Sequence, residues 1–308
     1  MPKLSVIISC YFNEENIPST VNELMETEKL FPSDVEFEYV MIDDGSKDNT
    51  LGELKKFKAL YPSNVKIVKL SGNFGSYNAI LAGMKHATGD CNVVIAADLQ
   101  DPPVLMFKMY EYWLKGIKLV VANRENREDA FFSRLLANQY QKLIKRFALP
   151  NLPDGGFDYC LFDKQLREQV VEMQEKNTNS LYLLAWLNYD FVAIPYTRKK
   201  RVHGKSKWTM NKRIKLFIDS FVSFSYFPLR AITVGGLLLG MIAMIYSIVI
   251  VCGKIFGLIN VEGWTTMMVV FLVVSAFQMI SIGIIGEYLW RNLEASRKRP
   301  SYVIDEII

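Results

Sequence analysis

Residues 91–103 read Cys91-Asn92-Val93-Val94-Ile95-Ala96-Ala97-Asp98-Leu99-Gln100-Asp101-Pro102-Pro103. The run from Cys91 to Ala97 has the length and apolar content of a strand buried on both faces, and the two prolines then stop it and open a helix. Two carboxylates and one amide are thereby delivered to the carboxyl end of a strand, the edge of an open α/β sheet where ligands sit. Further short apolar runs lie at residues 4–9, 37–42, 65–70 and 118–122. Helical spacing fills the gaps, through Val21, Leu24 and Met25, through Leu54 and Phe57, and through Ala79, Ile80, Ala82 and Gly83. This alternation predicts a right-handed, mostly parallel sheet covered on both faces. The small residues of the third helix allow it to pack closely on the sheet, and Asp48 is the expected N-cap of the second.

The last third of the chain obeys another rule. Residues 231–253 (AITVGGLLLGMIAMIYSIVIVCG) and 264–286 carry no charge, and each exceeds the roughly 20 residues needed to cross a bilayer core. They predict a two-helix transmembrane hairpin at 231–289. Ahead of it, Ile214, Phe217, Ile218, Phe221 and Phe224 fall on one face of an interfacial amphipathic helix at 211–230. The expected plan is a soluble domain at 1–210, that helix, the hairpin, and a C-terminal tail at 290–308. The opening MPKLSVIISCYFNEEN lacks the basic and apolar pattern of a secretory signal, so the large domain is expected in the cytoplasm.

Charge asymmetry gives the orientation. Nine Lys and Arg residues lie between Arg198 and Lys215, and Arg291, Arg297, Lys298 and Arg299 follow the second run, whereas the loop between the runs offers only Lys254 and Glu262. Positive flanks face inward, so both termini are expected on the cytoplasmic side of the cell inner (plasma) membrane in a multi-pass arrangement. The net charge of +4 is then a membrane-facing excess, and no nucleic acid is expected as a partner. Cys10, Cys91, Cys160 and Cys252 show no paired spacing, which excludes a zinc ribbon or a disulfide frame and fits a reducing compartment.

Candidate chemistry gathers at predicted strand ends. Oxygen donors from Asp98, Gln100 and Asp101 suit a hard divalent cation holding a diphosphate; the alternative is that Asp101-Pro102 only caps a helix and Asp98 is solvated. Asp43 and Asp44 end the second strand beside the turn residue Gly45. Arg124 and Arg127, where the sheet opens, suit phosphate or simply solubility. Residues 131–147 form an amphipathic pattern that fits either a membrane surface or a sheet face. Asp154 supplies a carboxylate in a glycine-bearing loop at 153–158. The segment 198–208 reads as a basic flap, for a diphosphate or for anionic lipid, with His203 as a further phosphate contact.

Taken in order, Asn13-Glu14-Glu15, Ile42-Asp43-Asp44-Gly45-Ser46, Asn73-Phe74-Gly75, Asp98 to Pro103, Gly204-Lys205-Ser206-Lys207, Gly286-Glu287-Tyr288 and Arg299-Pro300-Ser301-Tyr302 resemble the membrane-bound family-2 glycosyltransferases that move a sugar from a nucleotide onto a polyprenyl phosphate. The likeness covers nearly the whole chain and is similar both to bacterial undecaprenyl-phosphate glucosyltransferases and to dolichyl-phosphate mannose synthases. It implies a GT-A-type (Rossmann-like) domain and a nucleotide sugar and a polyprenyl phosphate lipid as partners, and a homo-oligomer is expected. By the same resemblance Asp44 contacts base or ribose with help from Glu14 and Glu15, and Asp98 and Gln100, with Asp101 as a further candidate, hold Mg2+ or Mn2+. Arg201, Ser206 and Lys207 close over the phosphates, Arg124 and Arg134 meet the lipid phosphate, and Asp154 sits where the family places a base.

Position 96 is alanine where the family's metal motif often reads Asp-x-Asp, and Ser9-Cys10 stands where relatives frequently carry proline. The expected reaction is transfer of glucose from UDP-glucose to undecaprenyl phosphate, inverting and metal-dependent. A GDP-mannose or amino-sugar donor, and a non-catalytic membrane adaptor, are the alternatives. A processive polysaccharide synthase would need a Gln-x-x-Arg-Trp motif and more spans than two.

Overall fold

The computed structural model describes residues 1–124, 139, 142–153, 156–173, 178–198, 218–256 and 263–308. It divides into two compact units, one formed by Met1–Ser223 with Pro300–Ile308 and the other by Phe224–Arg299.

The first unit is built on one eight-stranded sheet of order β7-β5-β6-β4-β1-β2-β3-β8. Its strands are β1 (Lys3–Cys10), β2 (Glu36–Asp43), β3 (Val65–Leu70), β4 (Cys91–Val94), β5 (Leu119–Arg124), β6 (Cys160–Asp163), β7 (Phe191–Tyr196) and β8 (Ile304–Ile307). β1 pairs in parallel with both β2 and β4, β2 with β3, and β5 with β7. Among the described residues, β6 and β8 run antiparallel to their neighbours. The carboxyl ends of six strands therefore share one edge. The order reverses between β1 and β4, which opens a crevice at that point.

Near-continuous burial of β1 and β2 reflects cover on both faces. On one face α1 (Ile17–Glu28), α2 (Thr50–Leu60) and α4 (Leu105–Leu114) bury Ile17, Leu24, Leu54, Phe57, Met106 and Met109 against Val6, Ile8, Tyr39 and Val93. Each such aliphatic side chain contributes about 1.5–3 kcal/mol on full burial. On the other face α3 (Ser76–His86) comes close enough that a Cβ on Gly83 would lie 2.4 Å from Ile7 Cγ2 and 2.6 Å from Ile42 Cδ1. The expected close packing of this helix is met, with Ala79, Ala82 and Gly83 all buried. α5 (Lys164–Met173) and α6 (Ser180–Trp186) follow β6.

The boundaries differ from expectation in physically readable ways. β4 ends at Val94, three residues early, although Ile95 N still donates to Ile7 O at 3.2 Å. Asn49 occupies the N-cap position of α2, yet Asp48 Oδ1 accepts from the Thr50 amide at 3.2 Å and its hydroxyl at 2.7 Å, so the capping carboxylate acts from one position further out. Neither antiparallel strand was anticipated. The segment expected as a C-terminal tail, 290–308, contains β8, which joins the sheet beside β3. Cys10, Cys91 and Cys160 are buried thiols whose pKa values burial pushes up, as expected of packing residues rather than ligands.

The second unit contains α7 (Phe227–Ile255) and α8 (Trp264–Arg297). Both are long and apolar enough to cross a membrane, with mean hydropathy of 2.5 in their best windows. Most of their described apolar side chains are exposed. Of the interfacial helix expected at 211–230, residues 211–217 lie outside the described residues. Residues 218–224 are helical, and a break at Ser225-Tyr226 precedes α7. Tyr288 Oη donates to Ser225 O at 2.6 Å, and Glu287 pairs with Arg291 at 3.2 Å one turn on. α8 stops at Lys298, whose φ of 49° is left-handed.

Candidate active site

The carboxyl edge of the sheet is organised in two halves. In the first, the loops after β1, β2 and β3 meet. Asp44 is 2% exposed, its amide donates to Cys10 O at 2.9 Å, and its carboxylate accepts the amides of Phe74 at 2.7 Å and Gly75 at 3.0 Å. Gly45 has φ +68°, and a Cβ there would stand 2.5 Å from the carbonyl carbon of Gly72. Only glycine lets these two backbones touch in this conformation. Asp43 Oδ1 accepts from Ser46 N at 3.0 Å. The carboxylate expected to contact a base or ribose is thus the clasp that shapes the loop at 71–75. Glu14 is exposed and takes the Asn49 amide at 2.7 Å, tying the first loop to the start of α2, and Glu15 is exposed beside it.

Phe12 was not singled out from the sequence. It follows β1 with φ 55°, a conformation that a bulky residue adopts at a cost of about 1–3 kcal/mol, which marks functional sites. Its ring is exposed, sits edge-on to Tyr11 at 4.6 Å, and its amide donates to Ser46 Oγ at 3.1 Å. A flat apolar surface held at the crevice can stack a planar ring.

The second half lies after β4, β5 and β7 and before β6. Leu99, with φ 53°, separates the half-buried Asp98 and Gln100, and Gln100 N donates to Asp98 Oδ1 at 3.3 Å. A carboxylate and an amide oxygen at one turn are the donor types that Mg2+ or Mn2+ takes, with the rest of the shell left to water and a diphosphate. No group of three His, Cys, Asp or Glu side chains suited to a metal occurs among the described residues.

Asp101 belongs to a different arrangement from the turn it follows. It is 1% exposed; Tyr196 Oη donates to Oδ1, Arg198 Nε lies 3.4 Å from the same oxygen, and Oδ2 has no hydrogen-bond partner among the described residues. Burial raises its pKa, against the Tyr196 hydrogen bond and the Arg198 charge. Burial, followed by the Asp101 charge, pushes the Tyr196 phenol up as well. Arg124 continues the chain of contacts, donating to Tyr196 Oη at 3.0 Å and to Asp158 Oδ2 at 2.7 Å. Tyr159 Oη donates to the carbonyls of Pro102 and Pro103 at 3.3 Å. Four elements are stitched together by side chains. Asp154, Arg134, Arg201, Ser206 and Lys207 lie outside the described residues, as does His203.

The first unit is a GT-A-like α/β fold, and two long apolar helices follow β7 in the chain. The family model described as Glycosyl transferase family 2 matches residues 5–171, and the chain belongs to that family. It is 33% identical over 308 residues to a prophage bactoprenol glucosyl transferase homolog of Escherichia coli, covering 99% of each chain. It is also 33% identical over 305 residues to the bactoprenol glucosyl transferase of Shigella phage SfX, covering 98% of each. Among solved structures, the mannosyltransferase PcManGT of Pyrobaculum calidifontis, in complex with GDP-Man and Mn2+, aligns over 94% of this chain and 87% of its own with TM-score 0.51 and 18% identity, a likeness of fold.

Proposed function

We propose that this glycosyltransferase moves glucose from UDP-glucose to undecaprenyl phosphate at the cytoplasmic face of the membrane, with inversion at the anomeric carbon. The observation that carries the reading is full-length similarity to bactoprenol glucosyl transferases. Two helices with membrane-crossing length and composition support a lipid acceptor, and the positive flanks support cytoplasmic termini.

Phe12 stacks the base, and the loops clasped by Asp44 form the wall against which the nucleoside rests, with Glu14 and Glu15 at its rim. Asp98 and Gln100 would hold Mg2+ or Mn2+, which when bound offsets the negative charge that grows on the departing diphosphate. Arg201, Ser206 and Lys207 supply further donors to that diphosphate, and stabilising charge as it develops is usually the largest single term in catalysis. Arg124, held by Asp158 and Tyr196, brings a fixed cation to the edge where the lipid phosphate enters, and Arg134, ten residues further on, joins it. Asp101 ties that edge to the metal turn. The acceptor is a phosphate monoester with a second pKa of about 6, so it arrives largely dianionic and attacks directly. Asp154 therefore orients more than it abstracts, and Asp154→Asn is expected to slow turnover rather than abolish it.

The test incubates the purified protein in lipid nanodiscs with undecaprenyl phosphate and radiolabelled UDP-glucose, GDP-mannose or UDP-N-acetylglucosamine. Organic-phase label from UDP-glucose, lost on chelation, restored by Mn2+ and β-linked by NMR, is the expected result. Label from another donor alone, an α-linked product or no transfer overturns it.

A further inference from the structure

The last nine residues belong to the first unit, and β8 within them joins the sheet from which the nucleotide loops spring. β8 pairs antiparallel with β3, Val68 opposite Ile307 and Lys69 opposite Glu306, with a bulge between Lys69 and Leu70. Ile67 and Ile308 exchange reciprocal backbone hydrogen bonds at 2.9 Å, and Ile308 packs on the core beneath β3. At the other end Ser71 N donates to Val303 O at 2.9 Å, and Lys69 Nζ meets Asp305 Oδ2 at 2.5 Å. The strand that would otherwise be an open edge is paired along its length.

The position of that pairing matters more than its strength. Ser71 is the first residue after β3 and precedes Gly72, whose backbone Gly45 touches, and then Phe74 and Gly75, whose amides hold Asp44. β8 thus fixes the root of the loop, Gly45 its middle and Asp44 its far end. The β1 and β2 sides of the crevice are held within the sheet by paired neighbours. The β3 side has its outer neighbour only because the chain returns after α8.

We infer that the C-terminal strand is a positioning element of the donor-nucleotide pocket: by holding Ser71 it sets the loop at 71–75, and so the affinity for the nucleoside diphosphate. The inference rests on the reading of this crevice as the nucleotide site. It makes the donor site depend on a segment that lies beyond both apolar helices in the chain.

The experiment compares the intact protein in nanodiscs with a form ending at Tyr302 and with Ile308→Pro, which removes the last amide donor and the Ile308 side chain but leaves the rest of β8 in place. UDP and GDP binding with Mn2+, and KM and kcat for transfer, are measured with and without a synthetic peptide of residues 300–308. The form ending at Tyr302 is expected to bind UDP about tenfold more weakly, equivalent to about 1.4 kcal/mol, and to show the same rise in nucleotide-sugar KM. Its acceptor KM and kcat should stay within about twofold, because the second half of the edge is untouched. Ile308→Pro should show a smaller change in the same direction, and the peptide should restore affinity to the shortened chain. Loss of kcat and of both KM values together, in Ile308→Pro or in a folded shortened form, would mean a merely structural strand and overturns the inference. Intact protein that binds neither UDP nor GDP overturns the nucleotide-site reading and this inference with it, whereas nucleotide affinity that neither variant changes overturns the inference alone.

Discussion

Asp44 and Asp101 are both buried carboxylates on the same edge of one sheet, and they are satisfied in opposite ways. Asp44 receives two backbone amides from a loop that leans on Gly45. Asp101 receives a tyrosine hydroxyl and an arginine from β7 and the residues just after it, and keeps one oxygen without a partner among the described residues. The half of the edge proposed for the nucleotide is therefore shaped by backbone geometry, and the half beside the proposed metal turn by side-chain identity. A backbone-built wall tolerates most substitutions except at its glycine and its clasp. A side-chain network can be cut at any member.

The largest break in this comparison is expected at Asp98, where charge rather than shape is at stake. Asp98→Ala should lower transfer by about 10²–10³-fold, the range seen when one preorganised group at developing charge is removed, with the melting temperature unchanged. Activity within a few-fold of the parent would show that the metal turn lies elsewhere.

Next in size is Gly45→Ala. It forces a Cβ into the Gly72 backbone at a left-handed φ, and about 2–3 kcal/mol of stability should be lost in thermal unfolding, together with nucleotide affinity. Tyr196→Phe is the matched cut in the other half. Removing the hydroxyl from a buried carboxylate should cost about 1–3 kcal/mol and leave UDP binding intact. If Tyr196→Phe abolished UDP binding and Gly45→Ala spared it, the division of labour would be reversed.

The smallest effect sharpens the comparison from outside the site. Glu38 lies under α3, where burial works to raise its pKa, but hydrogen bonds from Ser5, Thr88 and Lys66, with the Lys66 charge, outweigh burial and the net shift is downward. A depressed carboxylate contributes stability that is present above its unfolded pKa of about 4.3 and lost as pH falls through the folded value. The melting-temperature advantage of the parent over Glu38→Gln should therefore be full near neutral pH and shrink on acidification into that range. Nucleotide affinity should not follow it. An advantage that grows on acidification would show that the ion pair is not what holds Glu38.

Much of the fold was legible because its cause is local. Alternating apolar runs and helical spacing announced β1 to β5 and α1 to α4, and the uncharged runs announced α7 and α8. The two antiparallel strands were not legible for the same reason. Residues 160–163 and 304–307 are four-residue strands whose partners are remote in sequence, and Lys69 and Asp305 are 236 positions apart. Among candidate site residues the sequence named Asp44, Asp98, Gln100 and Asp101 as types at strand ends. It could not tell a clasp from a ligand, since that depends on which way a carboxylate turns. Phe12 passed unnoticed because a lone aromatic in a polar loop carries no periodic signal, and its left-handed backbone becomes visible only in three dimensions.

The order of amino acids alone determined β1 to β5, the helices between them and the two long apolar helices, since each follows from the spacing of apolar side chains and the breaks made by proline, glycine and charge. Tertiary structure alone decided that Asp44 holds a loop, that Asp101 answers to Tyr196 and Arg198, and that the chain's last strand completes the sheet. Those facts rest on hydrogen bonds between groups tens to hundreds of residues apart, and such bonds depend on distance and angle in space, which no local pattern encodes.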